Sequence, residues 1–245
     1  MPTFLTEVRE TLAPKRTDRF GPLPPLLVAM TLVTGLVDSF SYLLLGHVFV
    51  ANMTGNVVFL GFAVAGAPGF SITASVVALV AFGVGSVVGG RIVQRFGHHR
   101  GHHVAVATAT QSLLLAVSVV RALVGAHPFG AGVRYARIIV LALAMGVQNS
   151  SVRRLAVPDL TTTVLTLTVT GIGADSALGG GKGSKSGRRL ISVVAMFLGA
   201  LAGAALIIHV HVAVPLVIAL AVVVVVAVVS HWSGRSNPPW THVDD

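Results

Sequence analysis

The feature that most constrains this chain is a set of long apolar segments without charged residues. Four such windows, about 17 to 19 residues each, occupy 72–90, 104–120, 190–208 and 212–230. A helix needs about 20 apolar residues to cross the hydrocarbon core of a bilayer. Transmembrane β-strands would instead show short stretches that alternate apolar and polar residues. The sequence therefore predicts an all-α integral membrane protein, a polytopic helical bundle.

Charge is scarce, at 10% of residues, where a soluble domain carries about 25%. Lys and Arg outnumber Asp and Glu by 17 to 8, but they are dispersed over the loops, which is typical of positive-inside topology rather than nucleic-acid binding. The chain has no cysteine, which excludes disulfides and thiolate metal ligands. The histidine-rich run 98–103 contains no carboxylate, and we expect it to be solvated. We predict no metal, no cofactor and no nucleic-acid partner.

Three regions are expected along the chain. Residues 1–21 carry charges of both signs without the apolar core of a signal peptide, and they are interpreted as a cytosolic tail. Residues 22–235 form a single transmembrane domain, and 236–245 form a C-terminal tail. We expect a multi-pass protein of the inner (cytoplasmic) membrane with both termini in the cytosol.

An internal repeat divides the transmembrane domain into halves at about 22–130 and 131–235. Two polar motifs of the first half recur in the second, and the spacing between them differs by four residues. A third match pairs two small-xxx-small stretches, which let helices approach closely. The matched stretches are GLVDS 35–39 with GVQNS 146–150, NMTGNV 52–57 with DLTTTV 159–164, and GSVVG 85–89 with GALAG 199–203.

The second hydrophobic segment of each half, 53–66 and 160–174, is short for a membrane crossing. Its helix would measure about 21–23 Å, against a core of about 30 Å. If both segments return to the side from which they enter, 14 of the 17 Lys and Arg lie on the N-terminal side, against 12 if all eight segments cross. We therefore predict about six spanning helices plus two short broken or re-entrant segments, with the halves inverted. Eight crossing helices are the alternative, because short helices also cross thin bilayers.

Asp38 lies within the apolar segment 23–45, where a carboxylate costs about 2.5–3.5 kcal/mol on insertion scales. An ionisable residue at membrane depth is a functional hypothesis by default. Asp38 is a candidate proton carrier or ligand for a coupling cation. Alternatively it is a helix-end carboxylate that snorkels or pairs with an arginine.

The first polar motif places two carboxamides and a hydroxyl around Gly55, where the chain enters an apolar helix. Asn52 or Thr54 is suited to cap the free backbone N–H groups, and Asn56 follows within one turn. The exposed N-terminus of such a helix carries a positive dipole end that favours an anion. An ordinary N-cap is the alternative interpretation.

In the second half, Asp159, Thr161 and Thr163 repeat this arrangement, with hydroxyls in place of the carboxamide and glycine. Gln148 and Asn149 end the fifth segment beside two arginines, where an anion, a lipid phosphate or Asp159 itself could pair. Topological anchoring explains those arginines equally well.

The stretches 35–56, 145–155 and 161–175 resemble the YoaK-like family of bacterial membrane proteins, the domain of unknown function 1275 family. The resemblance covers most of residues 25–230, and its most specific elements are Asp38 and VFVANMTGN at 48–56. It implies an inner-membrane protein with about six spans and supplies no substrate.

The sequence predicts a secondary transporter or permease for a small solute or ion, and not an enzyme. Its partners would be the lipid bilayer, that solute and, through the small-residue helix faces, a second copy of the chain. A structural or regulatory membrane subunit is the main alternative, and an embedded enzyme with Asp38 and Asp159 as a carboxylate pair is the other. The predicted pathway residues are Asp38, Asn52, Thr54, Gly55, Asn56, Gln148, Asn149, Asp159, Thr161 and Thr163.

Overall fold

A computed structural model describes residues 4–15, 18–124, 129–160, 162, 165–175 and 186–242. Across these ranges the regular elements are helices, and six are long and apolar enough to cross a membrane. This confirms the predicted all-α polytopic bundle. The six are α2 (Leu23–Leu44), α4 (Ile72–Phe96), α5 (Arg100–Val124), α6 (Ala131–Leu155), α8 (Ser186–His209) and α9 (Val214–Gly234); α1 (Phe4–Leu12), α3 (Met53–Val64), α7 (Leu165–Ala174) and the 3-10 turn Pro239–Thr241 are shorter.

Helix starts follow from local sequence. α2 and α9 carry proline in their first turn, where the missing N–H has no helical partner to lose. Ser71 precedes α4, and its hydroxyl accepts the N–H of Ala74 at 3.2 Å. These signals fix where the long helices begin on each side of the bundle.

Two of the long helices, α4 and α8, bury small residues and expose large ones, the reverse of a helix in a soluble protein. Lipid is as apolar as a valine side chain, so close packing decides which face turns inward. α4 illustrates this with a buried stripe of small residues and an exposed row of valines. The buried stripe is Ala74, Ala78, Ala81, Gly85 and Gly89, and the exposed row is Val80, Val84, Val87 and Val88.

Two equivalent helix crossings join the halves. At the crossing of α4 and α6, a Cβ on Gly146 would lie 2.8 Å from the Ser86 nitrogen. At the crossing of α2 and α8, a Cβ on Gly35 would lie 2.6 Å from the Ala200 nitrogen. α2, which begins the first half, thus packs on α8 of the second half. α6, which begins the second half, packs on α4 of the first half, and α5 packs on α9. The glycine repeat marks contacts where backbones touch.

The first short segment leaves one end of the bundle and returns to the same end. His47 Nδ1 lies 2.9 Å from the Gly69 carbonyl oxygen, which joins the two ends of residues 47–69, the first re-entrant segment. Between them, the N–H groups of Val50 and Ala51 reach the Asp38 carboxylate. Asp38 lies six residues before the end of α2, or about 9 Å inward. α3 therefore starts deep in the bundle and runs back out.

The second short segment, residues 159–175, has the same form. Arg189 at the start of α8 binds Asp159 at 2.7 Å and Asp175 at 2.6 Å, so both ends of this second re-entrant segment meet. Thr162 lies 3.4 Å from Gln148, which is seven residues, or about 10 Å, before the end of α6. Each half therefore has three long helices, and the two halves run in opposite directions, as predicted.

The described residues nearest the two chain ends lie on one side of the bundle, called the tail side here. Arg100 at the start of α5 donates to the Trp240 carbonyl at 3.3 Å, and the Trp240 ring lies against Gly21. Glu7 of α1 accepts the N–H of Gly187 at the start of α8 at 3.0 Å. The second re-entrant segment opens to the tail side, and the first opens to the opposite side.

The glycine crossings predict a sharp contrast within α4. A Cβ on Gly85 would come within 2.8 Å of the Leu143 Cα, whereas a Cβ on Gly83 meets nothing within 4 Å. Gly85→Ala should lower stability by about 1–3 kcal/mol through overpacking. Gly83→Ala should leave stability unchanged, because its methyl group faces open space. Thermal melting of the detergent-purified variants measures both, and equal effects would contradict the close crossing.

Candidate functional site

A cavity of about 660 Å³ lies between the starting ends of the two short helices. Its volume falls within the range of about 300–1,000 Å³ typical of small-molecule sites. Residues from both halves line it, including four of the predicted pathway residues: Asn52, Thr54, Gly55 and Asn149. The remaining lining residues are Ala51, Met53, Val58, Phe59, Phe82, Leu165, Thr166 and Met196.

The lining reflects the internal repeat. Phe82 and Met196 lie three residues before the repeated glycines of α4 and α8, and both face the cavity. Thr54 and Thr166 each occupy the second position of their short helix, and both line it. The cavity therefore sits where the two inverted halves meet.

The start of α3 offers free backbone donors to this cavity. Asn52 precedes the helix, but its side chain makes no capping hydrogen bond. Of the two predicted capping residues, Asn52 therefore does not cap α3, and Thr54 lies inside the helix at its second position. The N–H groups of a helix start and its positive dipole end favour a negatively charged or strongly polar group.

Asp38 lies behind the cavity wall rather than in it. Its Oδ1 accepts the N–H groups of Val50 at 3.1 Å and Ala51 at 2.9 Å. The side chain is 5% exposed. These contacts differ from the proposed arginine pairing, and they give Asp38 a positioning role, since it holds the tip of the first re-entrant segment against α2.

Asn56 also binds the chain itself. Its Oδ1 accepts the Phe49 N–H at 2.9 Å, and its Nδ2 donates to the Phe49 carbonyl oxygen at 2.6 Å. Asn56 is fully buried and does not line the cavity. A Cβ on Gly55 would lie 2.7 Å from the Phe49 ring, so this glycine permits the close turn. Asn56 and Gly55 together shape the entrance to α3.

Gln148 belongs to a buried polar network, and it is the one member of that network that was predicted as a site residue. Its Oε1 accepts from Gln111 Nε2 at 2.6 Å, and its Nε2 donates to Thr34 Oγ1 at 3.0 Å. The same amide lies 3.4 Å from Thr162 Oγ1. Gln111 and Thr34 were missed, and the signal that could have found Gln111 is the single amide in the uncharged window 104–120.

Asp159 lies at the tail side, paired with Arg189, and does not line the cavity. Asp159 therefore does not hold the place beside the cavity that Asn52 holds, and the described part of α7 starts at Leu165. Thr166 is the counterpart of Thr54, and the buried Thr168 is the counterpart of Asn56. Thr161 and Thr163 lie outside the described residues.

Comparison with known proteins identifies a family for this chain but assigns it no activity. Residues 26–229 match the family described as protein of unknown function (DUF1275). The chain belongs to this family. It is 34% identical over 149 residues to the UPF0700 transmembrane protein YoaK of Bacillus subtilis (strain 168). That match covers 59% of this chain and 63% of the relative, so it spans less than two thirds of the relative's length. No solved structure matches.

The contacts of Asp38 predict a difference between two substitutions. Asp38→Ala removes the acceptor of two buried N–H groups, and each unpaired donor costs about 1–3 kcal/mol. Asp38→Asn keeps an oxygen acceptor, so its melting temperature should stay close to that of the native protein. Ser41→Ala, one turn further along α2, is the matched control. A melting temperature for Asp38→Ala equal to that of Ser41→Ala would refute the positioning role.

Proposed function

We propose that this protein is a secondary transporter or permease for a small polar solute or ion. The observation that carries the proposal is the central cavity, which residues of both inverted halves line. In inverted-repeat transporters, sites of this kind lie near the bilayer midplane where broken helices meet. We place the protein in the inner membrane with the tail side in the cytosol, because 11 of the 14 Lys and Arg among the described residues lie on that side.

Unequal packing of the bundle supports alternating access. Glycine contacts join the crossed long helices, whereas α3 packs mainly on α4 and α7 mainly on α8. α3 buries Asn56 alone among its residues, and α7 buries Thr168 alone. Movement of α3 and α7 themselves would therefore disturb few buried side chains and would expose the cavity to either side in turn.

The chemistry of the lining favours solute binding over catalysis. Its polar side chains are the amides of Asn52 and Asn149 and the hydroxyls of Thr54 and Thr166, and none of its residues is ionisable. The carboxylate pair considered for an embedded enzyme is divided, because Asp38 holds the first re-entrant segment and Asp159 pairs with Arg189 at the tail side. A structural or regulatory subunit remains the alternative that the following experiment separates.

The cysteine-free sequence allows a direct test of access. Thr54→Cys and Thr166→Cys place a single thiol at the start of each short helix. In right-side-out and inverted membrane vesicles, a membrane-impermeant thiol reagent should label each thiol from both sides, because the cavity opens to each side in turn. A structural subunit would give labelling from one side at most, and that result would refute the proposal.

Two controls calibrate the labelling. Ser236→Cys is exposed on the tail side and should react from that side alone. Val88→Cys lies on the exposed, lipid-facing row of α4 and should not react with the polar reagent from either side. Labelling of Ser236→Cys from both sides would indicate leaky vesicles.

A further inference from the structure

Arg137 in the second turn of α6 is buried without a carboxylate partner. The side chain is 2% exposed, and its Nε and Nη1 have no hydrogen-bond partner among the described residues. Its Nη2 donates to the Arg121 carbonyl oxygen at 2.5 Å, and its guanidinium lies 3.5 Å from the centre of the Phe129 ring. These contacts account for one nitrogen and one face of the guanidinium, and they leave the positive charge unpaired.

Two further arginines lie beside Arg137. Arg121 lies next to it in the last turn of α5, and Arg134 lies one turn earlier on α6, with a buried Nε that also lacks a partner among the described residues. A Cβ on Gly46 would lie 3.6 Å from Arg134 Nη1, so Arg134 borders the first re-entrant segment. These three arginines, called the arginine cluster here, are the Lys and Arg that lie opposite the tail side in the part of the chain that the structure describes.

The chain itself offers this cluster no counter-charge. Residues 39–158 contain neither Asp nor Glu. Asp38, the nearest preceding carboxylate in sequence, binds the N–H groups of Val50 and Ala51. Burial of an unpaired charge is costly, and charged residues within membrane proteins mark ligand or ion pathways by default.

We propose that the arginine cluster binds an oxyanion, a phosphate or carboxylate group, at the mouth of the bundle opposite the tail side. Guanidinium groups bind such anions through paired N–H donors, and Arg137 has two nitrogens free for this. The bound anion would join α5, α6 and the loop after α2. A soluble anion and an anionic lipid headgroup share this chemistry. The proposal does not depend on transport.

Thermal melting tests the site on the purified full chain. Inorganic phosphate, compared with chloride at equal ionic strength, should raise the melting temperature of the native protein, because ligand binding stabilises the folded state. In Arg137→Met the apparent Kd for phosphate should rise by about tenfold or more, since charge-assisted hydrogen bonds are lost. In chloride alone, Arg137→Met should melt at or above the native temperature, because its buried unpaired charge is gone.

A separate experiment tests whether the bound anion is a lipid headgroup. Native mass spectra of protein from nanodiscs should retain phosphatidylglycerol on the native chain and lose it in Arg137→Met, with phosphatidylcholine retained by neither. Retention of this lipid without a phosphate shift assigns the site to a headgroup, and the reverse result assigns it to a soluble anion. If phosphate and phosphatidylglycerol both fail to distinguish the native chain from Arg137→Met, the proposal is wrong.

Two further variants keep the test decisive. Arg121→Gln alters the exposed member of the cluster and should weaken the anion response even if Arg137→Met does not fold. Arg235→Gln removes an exposed arginine on the tail side and should respond to phosphate like the native chain. An equal loss of response in Arg235→Gln would show a general salt effect and would overturn the assignment.

Discussion

The bundle depends on two places where helices touch backbone to backbone. Gly35 meets α8 and Gly146 meets α4, and no side chain separates either pair of helices. Lipid offers an apolar helix much the same contacts as protein does, so this close approach decides which faces meet. One crossing joins α2 of the first half to α8 of the second, and the other joins α6 of the second half to α4 of the first. Neither half can therefore complete its packing alone, and the repeat interlocks the chain.

This interlock leaves the tips of the re-entrant segments with backbone groups to satisfy away from water. Unpaired N–H groups cost several kcal/mol in an apolar medium. The first half meets this demand with Asp38 and Asn56, and the second places the Gln148 network beside Thr162. Several polar residues thus serve the protein's own backbone, whereas Asn52, Thr54 and Thr166 line the cavity.

The number of spans and the short segments could be predicted because apolar length is directly visible in a sequence. Which polar residues line the cavity and which bind the protein's own backbone could not be predicted, since asparagine and aspartate suit a ligand and a backbone turn equally well. The second-half residues that correspond to the first-half motif could not be identified for a related reason. Asp38 and Asn56 are eighteen residues apart, and their counterparts Asn149 and Thr168 are nineteen residues apart. The DLTTTV stretch at 159–164 resembles the first-half motif more closely in sequence, but it lies before these counterparts. Gln111 escaped notice because it carries no charge.

Inverted halves present repeat-related positions to opposite sides of the membrane, so a difference between them makes the two mouths chemically unlike. Arg137 lies nine residues before the repeated glycine of α6, and Leu26 holds that place in α2. At the tail-side mouth, Arg189 is neutralised by Asp159 and Asp175. At the opposite mouth, the described residues give Arg137 no carboxylate. The scaffold repeats, but its electrostatics differ between the two mouths, because Arg189 pairs with two carboxylates whereas the buried Arg137 pairs with none among the described residues.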